Sequence, residues 1–415
     1  MSHPRSRVVI VGAGQAGAST ALALRQGGFD GTVTLLGDEP YLPYERPPLS
    51  KEYLAGERPA ERLLLRPPGF WAERAIEVRT ARRVVALSPA TRCVTTAAGD
   101  TFTFDWLVWA AGGRARRLPV PGADLGGVHV IRTLEDVDSI RADLRDARHV
   151  LIAGGGYVGL EAAAVLVKQG HAVTIVEMQD RLLARVAAPE VSAFYLAEHR
   201  THGVDVRLGA RVAVLEGDSG GHVRAALLAD GTRLMADLVI AGIGLEPEVA
   251  VLAAAGADCP DGVTVDRWCR TGLAGVLAIG DCARHPNDFA GGGPVRLESV
   301  QNASDMARTA AAVILHGEAA PPYRAVPWFW SNQYDLRLQT VGLSAGADAR
   351  VVRGDPATRS WSLVYLRGGA VVALDCINAA RDYVQGRLLV ERGARIAPDR
   401  LADAATPLKA MEDDR

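Results

Sequence analysis

The chain has 415 residues, more than a single hydrophobic core usually supports, so its length predicts two or three domains. Its 46 basic and 48 acidic residues leave a formal net charge of -2 without long blocks of either sign, which argues against nucleic acid as a partner. The five scattered cysteines offer no CxxC pair, so we expect no metal site in the chain and a reducing, cytoplasmic environment.

The N-terminal segment passes directly into a strand-like run without the apolar core of a signal peptide, so secretion is not expected. One stretch, residues 150–167, approaches the length of a membrane span. It contains several glycines and Glu161, which suit a tight turn better than a lipid-facing helix, so no membrane partner is predicted.

The first predicted unit begins with an apolar, β-branched strand at residues 8–11. Gly12, Gly14 and Gly17 follow with the spacing G-x-G-x-x-G, ahead of a predicted helix at residues 18–25. Such glycines allow a tight turn, close approach of the backbone to a pyrophosphate, and close packing of the helix on the strand. The segment therefore predicts a site for a dinucleotide.

A second strand, at residues 32–36, ends shortly before Asp38 and Glu39. A carboxylate at this place in the fold accepts hydrogen bonds from the ribose of the adenosine half. Asp38 is the first choice for that role, and Glu39 is the alternative.

The same pattern recurs later in the chain. Its parts are a strand at residues 150–153, the glycines Gly154, Gly156 and Gly159, a helix at 160–169, a strand at 172–176, and Glu177. Glu177 would accept hydrogen bonds from an unmodified ribose and repel the 2′-phosphate of NADPH, so NADH is the preferred cofactor. The nearby cation Arg181 is the exception to this reasoning, because it would attract that phosphate. Two such units predict two cofactors, FAD and NADH, because a flavin enzyme reduced by a nicotinamide needs both.

Residues 44–51 (YERPPLSK) and six further segments carry a resemblance to a known family. The further segments are 105–112 (DWLVWAAG), 131–136 (IRTLED), 242–247 (GIGLEP), 279–283 (IGDCA), 296–303 (RLESVQNA) and 327–335 (PWFWSNQYD). With them the chain closely resembles, essentially end to end, the oxygenase-coupled NADH-dependent ferredoxin reductases of the putidaredoxin reductase type.

This resemblance implies an α/β fold with two Rossmann-like, glutathione-reductase-like domains for FAD and NAD, and a C-terminal α+β domain. The expected boundaries are 1–112 and 244–322 for the split FAD domain, 113–243 for the NADH domain and 323–415 for the C-terminal reductase domain. Pro321 and Pro322 mark the last boundary, beyond which antiparallel strands are expected at residues 362–366 and 370–374.

The resemblance also implies which residues serve hydride transfer. Lys51 is the expected cation near the reactive flavin nitrogen, Glu161 is placed to pair with it near the nicotinamide, and Trp330 lies on the other side of the flavin. Each has an ordinary alternative, namely a solvated loop lysine, a first-turn helix acid and a core aromatic side chain. Asn332 stands where many relatives have Asp, which puts any role of that carboxylate in doubt.

Further contacts with FAD are expected outside the first glycine turn. Asp281 is placed to accept hydrogen bonds from the ribityl chain, with a plain turn aspartate as the alternative. The resemblance puts the backbone of Val300 near the pyrimidine edge of the flavin, at the start of a helix. The remaining contacts implied by the resemblance are Ala16, Arg46, Val84 and Arg132.

Two other groups of residues have less specific interpretations. His199 and His202 lie one helical turn apart without a third ligand, so a solvated helix end is predicted rather than a metal pair. Arginine-rich stretches offer either a docking surface for an acidic ferredoxin or plain solvated surface; they comprise Arg79, Arg82, Arg83, Arg114, Arg116 and Arg117.

The predicted function is that of an FAD-dependent NADH:ferredoxin oxidoreductase that passes single electrons to a separate 2Fe-2S ferredoxin serving a cytochrome P450 or a Rieske oxygenase. One alternative is an NADH oxidase or disulfide reductase of the same fold. That class needs a redox cysteine after the first unit, where this chain has residues 47–51 (PPLSK) and no cysteine before Cys93. Another alternative is an NADH-sensing flavoprotein that signals by changing its shape.

Overall fold

The computed structural model describes residues 6–291 and 293–413. The helices are α1 (Gln15–Gln26), α2 (Phe70–Glu73), α3 (Leu134–Asp143), α4 (Tyr157–Lys168), α5 (Pro189–Thr201), α6 (Ala250–Ala254), α7 (Val300–His316), α8 (Ala380–Arg392) and α9 (Pro398–Ala402). The strands are β1 (Arg7–Val11), β2 (Thr32–Leu36), β3 (Ile76–Arg79), β4 (Val84–Ser88), β5 (Cys93–Thr96), β6 (Thr101–Thr103), β7 (Trp106–Trp109), β8 (Gly113–Ala115), β9 (Val128–Val130), β10 (His149–Ala153), β11 (Ala172–Glu177), β12 (Asp205–Leu208), β13 (Val212–Gly217), β14 (Val223–Leu228), β15 (Arg233–Met235), β16 (Leu238–Ala241), β17 (Leu245–Pro247), β18 (Val263–Thr264), β19 (Val276–Ala278), β20 (Ala283–Pro286), β21 (Pro294–Arg296), β22 (Trp328–Gln333), β23 (Leu336–Gly342), β24 (Ala349–Asp355), β25 (Ser360–Arg367) and β26 (Ala370–Ile377).

The chain divides into two compact units, each assembled from separate stretches of sequence. Unit 1 consists of Met1–Glu45, Leu63–Arg114 and Glu246–Pro327. Unit 2 consists of Arg46–Arg62, Ala115–Leu245 and Trp328–Arg415. The segment that carries Lys51 therefore belongs to the same unit as the second glycine turn.

Unit 1 is built on a parallel sheet with the strand order β3-β2-β1-β7-β19. β1 is apolar and buried from Val8 to Val11, as expected for a strand covered on both faces. α1 follows β1 and packs against α7. It begins at Gln15, earlier than the helix predicted at residues 18–25, because Gly14 adopts the extended cap conformation and its carbonyl accepts from the N–H of Ala18.

Unit 2 contains a second parallel sheet, with the strand order β12-β11-β10-β16-β9. In both sheets the first strand of the glycine motif lies between two neighbours. The carboxyl end of such a strand is where open α/β sheets bind their ligands. α4 follows β10 and packs on β11, on the 3-10 turn Pro47–Ser50 and on β22.

The C-terminal part of unit 2 is an antiparallel sheet with the strand order β22-β23-β26-β25-β24, covered by α8. The strands predicted at residues 362–366 and 370–374 are β25 and β26, each longer than predicted. The predicted fold class, α/β with an additional C-terminal α+β part, is confirmed. Among the described residues, no helix combines the length and the apolar character that crossing a membrane requires.

Candidate functional site

The first glycine turn lies at the carboxyl end of β1 in unit 1. Gly12 has a φ of +108°, and a Cβ there would lie 2.2 Å from the carbonyl oxygen of Ala110. A Cβ at Gly17 would lie 1.9 Å from the carbonyl oxygen of Gly12. At Gly14, in contrast, a Cβ would meet no described protein atom within 4 Å. Packing therefore dictates Gly12 and Gly17, whereas Gly14 keeps open the space that a pyrophosphate requires, so the turn fits a dinucleotide.

Two other segments expected to bind FAD converge on the start of α1. A Cβ built on Gly280 would lie 3.1 Å from the Cβ of Ala16 and 3.8 Å from the Cβ of Ala303 in α7. The half-buried Asp281 follows Gly280 in the same 3-10 turn, and α7 begins at Val300 as predicted. The structure thus brings the first glycine turn, the turn of Asp281 and the start of α7 together.

The two candidate ribose acids follow β2 beside the first glycine turn. A Cβ on Gly37 would lie 2.8 Å from the Cβ of Ala13, which places the end of β2 against that turn. Asp38 is exposed, while Glu39 is half-buried and accepts a hydrogen bond from the hydroxyl of Tyr44 at 2.5 Å. Both residues stay near the turn, so the choice of Asp38 over Glu39 stays a prediction.

The remaining expected FAD contacts lie in both units. Arg46 and Arg132 are close together in unit 2, where Nη1 of Arg46 donates to the carbonyl oxygen of Arg132 at 2.5 Å. The N–H of Arg132 donates to Asp136, whose carboxylate also caps the start of α3. Val84 is buried at the start of β4 in unit 1.

The second glycine turn, in unit 2, repeats the geometry of the first. Gly154 has a φ of +112°, and a Cβ there would lie 2.4 Å from the carbonyl oxygen of Gly242. A Cβ on Gly159 would lie 2.2 Å from the carbonyl oxygen of Gly154. The nearest protein atom to a Cβ on Gly156 would be 4.0 Å away. This turn therefore also fits a pyrophosphate, with Gly156 at the open position.

Glu177 ends β11 next to the second glycine turn. Its Oε2 accepts from the N–H of Gly155 at 2.6 Å, and its Oε1 accepts from the N–H of Gln179 at 2.8 Å. Arg181 is directed elsewhere, because its guanidinium donates to acceptors within unit 2. Those acceptors are the carbonyl oxygens of Ala184 and Ala187, at 2.8 and 2.6 Å, and the hydroxyl of Ser192, at 3.0 Å.

Lys51 and Glu161 form a nearly buried ion pair in unit 2. Oε2 of Glu161 accepts from Nζ of Lys51 at 2.7 Å and from the hydroxyl of Ser50 at 2.6 Å. Oε1 accepts from the hydroxyl of Ser331 at 2.6 Å. The side chains of Lys51 and Glu161 are 12% and 4% exposed. A buried charge with a counter-ion and further donors is the form in which proteins tolerate such burial.

The ordinary interpretations of these two residues are wrong. Glu161 is not a first-turn acid, because α4 begins at Tyr157 and Glu161 is its fifth residue, in the second turn. Lys51 is not a solvated loop lysine, because its ammonium is held by the carboxylate of Glu161.

Trp330 lies in β22 among other aromatic residues. Its ring centroid is 5.6 Å from that of Trp328 and 6.2 Å from that of Phe329. Phe329 in turn packs on Tyr157, the first residue of α4, at 4.6 Å. Trp330 is half-buried, so it keeps an accessible surface, and the neighbouring Asn332 is exposed.

The two histidines of α5 differ in their surroundings. His199 is fully buried, with Nε2 2.9 Å from Oε1 of Gln333 and Nδ1 2.9 Å from the hydroxyl of Tyr334. Burial lowers the pKa of its imidazole to about 4. His202 is exposed and stacks on Tyr334 at 3.7 Å. The prediction of a solvated helix end is therefore wrong for His199, and the part of the chain that the structure describes holds no cluster suited to a metal ion.

Several polar residues of the site were not singled out from the sequence: Ser50, Ser331, Gln333 and Tyr334. They lie within segments that carry the family resemblance, but no role was assigned to them. One signal was available, because Ser331 and Gln333 alternate along a strand and therefore face the same side. Both are buried on that side.

Three of the five cysteines lie in surroundings that disfavour a redox-active thiol. Cys269, Cys282 and Cys376 are buried, and burial raises the pKa of each thiol, that of Cys282 to about 12. A redox-active cysteine requires the thiolate at neutral pH, so burial disfavours that role for these three side chains. The residues described include no disulfide, and segment 46–62 contains no cysteine.

Three arginines of the arginine-rich stretches form local ion pairs on the surface. Arg82 pairs with Asp100 at 2.8 Å, and Arg114 pairs with Glu246 at 3.0 Å. Arg79 pairs with Glu77 as well. Because exposed pairs of this kind are weak, the arginines retain charge that can act on a partner, and their part in docking stays a prediction.

Comparisons with known proteins identify the family of the chain. Residues 6–307 match the pyridine nucleotide-disulphide oxidoreductase family, and residues 328–412 match the reductase C-terminal family. The ferredoxin reductase subunit of 5,5'-dehydrodivanillate O-demethylase from Sphingobium sp. is 57% identical over 408 residues, 98% of each chain. Putidaredoxin reductase of Pseudomonas putida is 42% identical, with 99% of this chain and 97% of that protein covered.

A comparison with solved structures identifies the same family. The covalent complex of putidaredoxin reductase with putidaredoxin matches with a TM-score of 0.94 at 40% identity, covering 98% of this chain and 98% of that one. Enzymes of this family use FAD and NAD(P)H. The chain therefore belongs to the pyridine nucleotide-disulphide oxidoreductase family, among its ferredoxin reductases of the putidaredoxin reductase type.

Proposed function

We propose that the protein is an FAD-dependent NADH:ferredoxin oxidoreductase that supplies electrons, through a separate 2Fe-2S ferredoxin, to a cytochrome P450 or a Rieske oxygenase. The observation that carries this proposal is the nearly buried pair of Lys51 and Glu161, in a segment without a redox cysteine. Relatives named as the reductase subunit of an O-demethylase and as putidaredoxin reductase support the ferredoxin as electron acceptor.

The residues of the chain bind the cofactors and control charge. When bound, NADH and FAD supply transfer of a hydride, followed by release of single electrons. Lys51 provides a positive charge for the side of the flavin that receives negative charge, and Glu161 orients that ammonium. Trp330 offers an aromatic surface on the proposed path to the acceptor. We assign FAD to Gly12, Gly14, Ala16, Gly17, Asp38, Arg46, Lys51, Val84, Arg132, Asp281 and Val300, and NADH to Gly154, Gly156, Gly159, Glu161 and Glu177.

The preference for NADH over NADPH rests on the charges beside the second glycine turn. Glu177 presents a carboxylate where the ribose of the adenosine half would lie, and a 2′-phosphate there would be repelled. Arg181 is the nearby cation that would favour the phosphate. Its guanidinium already donates hydrogen bonds to Ser192 and to two carbonyl oxygens. It could bind a 2′-phosphate only if those hydrogen bonds were broken.

A disulfide reductase or a peroxidase with a redox thiol is not supported. Ser50, immediately before Lys51, donates its hydroxyl to Glu161 rather than presenting a thiol. The buried cysteines have raised pKa values, which disfavours the reactive thiolate.

We infer a division into an FAD domain (1–112 and 244–322), an NADH domain (113–243) and a C-terminal domain (323–415). The break between the two family matches, from residue 307 to residue 328, supports the last boundary. A cytoplasmic location is the further inference, supported by cysteines that remain unpaired over the described residues.

The test is reconstitution of electron transfer with the full chain loaded with FAD. NADH oxidation and cytochrome c reduction are followed with and without candidate 2Fe-2S ferredoxins, and the same ferredoxins stripped of their cluster serve as the control. We expect reduction of cytochrome c to depend on an intact ferredoxin. Turnover that produces only hydrogen peroxide and is not stimulated by any 2Fe-2S ferredoxin would contradict the proposal.

A further inference from the structure

A row of hydrogen bonds in unit 2, here named the polar row, connects the carboxylate of Glu161 to the protein surface. Its members, in order from the surface, are Tyr334, His199, Gln333, Ser331 and Glu161. We propose that the polar row makes His199 a positioning residue for the pair of Lys51 and Glu161. This inference rests on the proposed function, in which that pair serves hydride transfer.

The polar row is continuous and lies in the interior. From the surface inward, its donor–acceptor distances are 2.9, 2.9, 3.2 and 2.6 Å. Ser331, Gln333 and His199 each have at most 1% of their surface exposed. In this environment water does not compete for the hydrogen bonds, so each bond polarises the next.

The direction of the polar row is dictated by its inner end. The ammonium of Lys51 can only donate, so it pairs with Glu161 as a carboxylate. A carboxylate has no hydrogen to donate, so Glu161 also accepts from the hydroxyl of Ser331. The hydroxyl of Ser331 has then used its hydrogen and accepts from Nε2 of Gln333. That orientation turns Oε1 of Gln333 toward His199, whose Nε2 donates to it. Nδ1 of His199 is left as an acceptor for the hydroxyl of Tyr334.

Every hydrogen bond of the polar row is therefore donated toward Glu161. A neutral imidazole with hydrogen on Nε2 alone is the form of His199 that fits. Burial supports the neutral form, because it lowers the pKa of this histidine to about 4. The amide of Gln333 makes the row a poor path for protons, so its effect is orientation and polarisation rather than proton transfer.

The fold holds the outer end of the row firmly. Tyr334 is in the tight turn between β22 and β23 with a φ of +56°, a left-handed conformation that aims its ring at α5. The row thereby couples α5, β22 and α4. Because Ser331 fixes Oε1 of Glu161, the other oxygen faces Lys51, and loss of a row member loosens the ammonium.

The first test reads the tautomer of His199 directly, without turnover. The FAD-loaded protein is labelled with 15N-histidine, and the His199 signal among the nine histidines is assigned by its loss in His199→Gln. We expect a hydrogen on Nε2 and none on Nδ1. Hydrogen on Nδ1, or on both nitrogens at neutral pH, would overturn the proposed direction. Since no electron acceptor is involved, this result stands independently of whether a ferredoxin is the partner.

The second test measures the limiting rate of flavin reduction by NADH in stopped flow. Loss of one polarising hydrogen bond should lower that rate about 3- to 10-fold in His199→Phe and in Ser331→Ala, with little change in NADH affinity. The double variant should be no slower than Ser331→Ala alone, because His199 acts only through Ser331. If the rate decreases of the two single variants multiply in the double variant, His199 has a merely structural role and the proposal is overturned.

Two further variants make this test specific. His199→Gln retains a donor for Gln333 and should keep at least half of the wild-type rate, whereas a loss equal to that of His199→Phe would count against the proposal. His149→Phe changes an exposed histidine of unit 2 outside the row and serves as the matched control. If His199→Phe does not fold, Ser331→Ala and the tautomer measurement still decide the question.

Discussion

Nζ of Lys51 lies 2.7 Å from Oε2 of Glu161, with both side chains almost withdrawn from solvent. In such a pair each charge depends on the other, because water no longer compensates either of them. The hydroxyls of Ser50 and Ser331 add donors to the carboxylate, but they carry no charge. The pair should therefore behave as one unit in both stability and catalysis.

Lys51→Met should lower the free energy of unfolding by about 3–5 kcal/mol, because it leaves a buried carboxylate without its counter-ion. It should also slow flavin reduction by NADH, because the positive charge that we propose for the flavin is lost. The double variant Lys51→Met/Glu161→Gln should recover most of the stability but not the rate. Chemical denaturation and stopped flow measure the two quantities. Additive losses of stability in the double variant would show that the two residues do not form a unit.

Substitutions of Gly14 and Gly156, the two glycines at open positions, should weaken cofactor binding without disturbing the fold. Gly14→Ala places a methyl group where no described protein atom lies within 4 Å, on a backbone that alanine adopts readily, so the melting temperature of the cofactor-free protein should hardly change. FAD should bind much more weakly, because the methyl occupies the space that we propose for its pyrophosphate. Flavin absorbance per chain measures this loss.

Gly156→Ala is the matched control for that prediction, since it should weaken NADH while FAD remains bound. Gly17→Ala has the opposite profile, because its Cβ would lie 1.9 Å from a backbone oxygen and must disturb the fold itself. A Gly14→Ala protein with a full complement of FAD would refute the assignment of that turn.

The glycine turns were predictable because their signal is local. A buried strand, glycines at fixed spacing and a helix fall within about twenty residues, and both turns occur where the sequence indicated. The pairing of Lys51 with Glu161 was not accessible in this way, since 110 residues separate the two. Only the resemblance to a family indicated it.

The role of His199 was missed for a related reason. Its partners Gln333 and Tyr334 are 134 and 135 residues away in sequence, so the local pattern showed only two histidines near a glycine. The helix itself held a usable signal. Val191, Tyr195 and His199 are spaced by four residues, and all three are buried on one face of α5.

Glu177→Gln should reduce the preference for NADH over NADPH at least tenfold, measured as the ratio of kcat/KM values. The amide no longer repels the 2′-phosphate, while the hydrogen bond from Gly155 can be retained. Arg181→Met should leave that ratio unchanged, because its guanidinium is committed to acceptors within unit 2. A change of preference in Arg181→Met would show that this cation does reach the nucleotide.

Asp375, in β26, should make the free energy of unfolding depend on pH. This dependence can be measured separately from that of the other titrating groups. The carboxyl is buried, and burial raises its pKa from 3.8 to about 7, although the hydroxyl of Tyr365 donates to it. Between these two values the folded protein retains the proton and the unfolded chain has lost it. The contribution of Asp375 to the free energy of unfolding is therefore largest below about pH 4, decreases as the pH rises to 7, and is constant above pH 7.

Asp375→Asn removes this titration while preserving the size of the side chain and an acceptor for Tyr365. Relative to the wild type, the variant should gain stability progressively from pH 4 to pH 7, on the order of 4 kcal/mol in total, with no further gain above pH 7. Chemical denaturation of both proteins across this range measures the difference, in which the effects of other carboxyl groups cancel. Asp237, whose pKa is lowered, acts in the opposite direction in both proteins and so does not affect the comparison. A difference that stays constant from pH 4 to pH 8 would mean that Asp375 is ionised in the folded protein throughout.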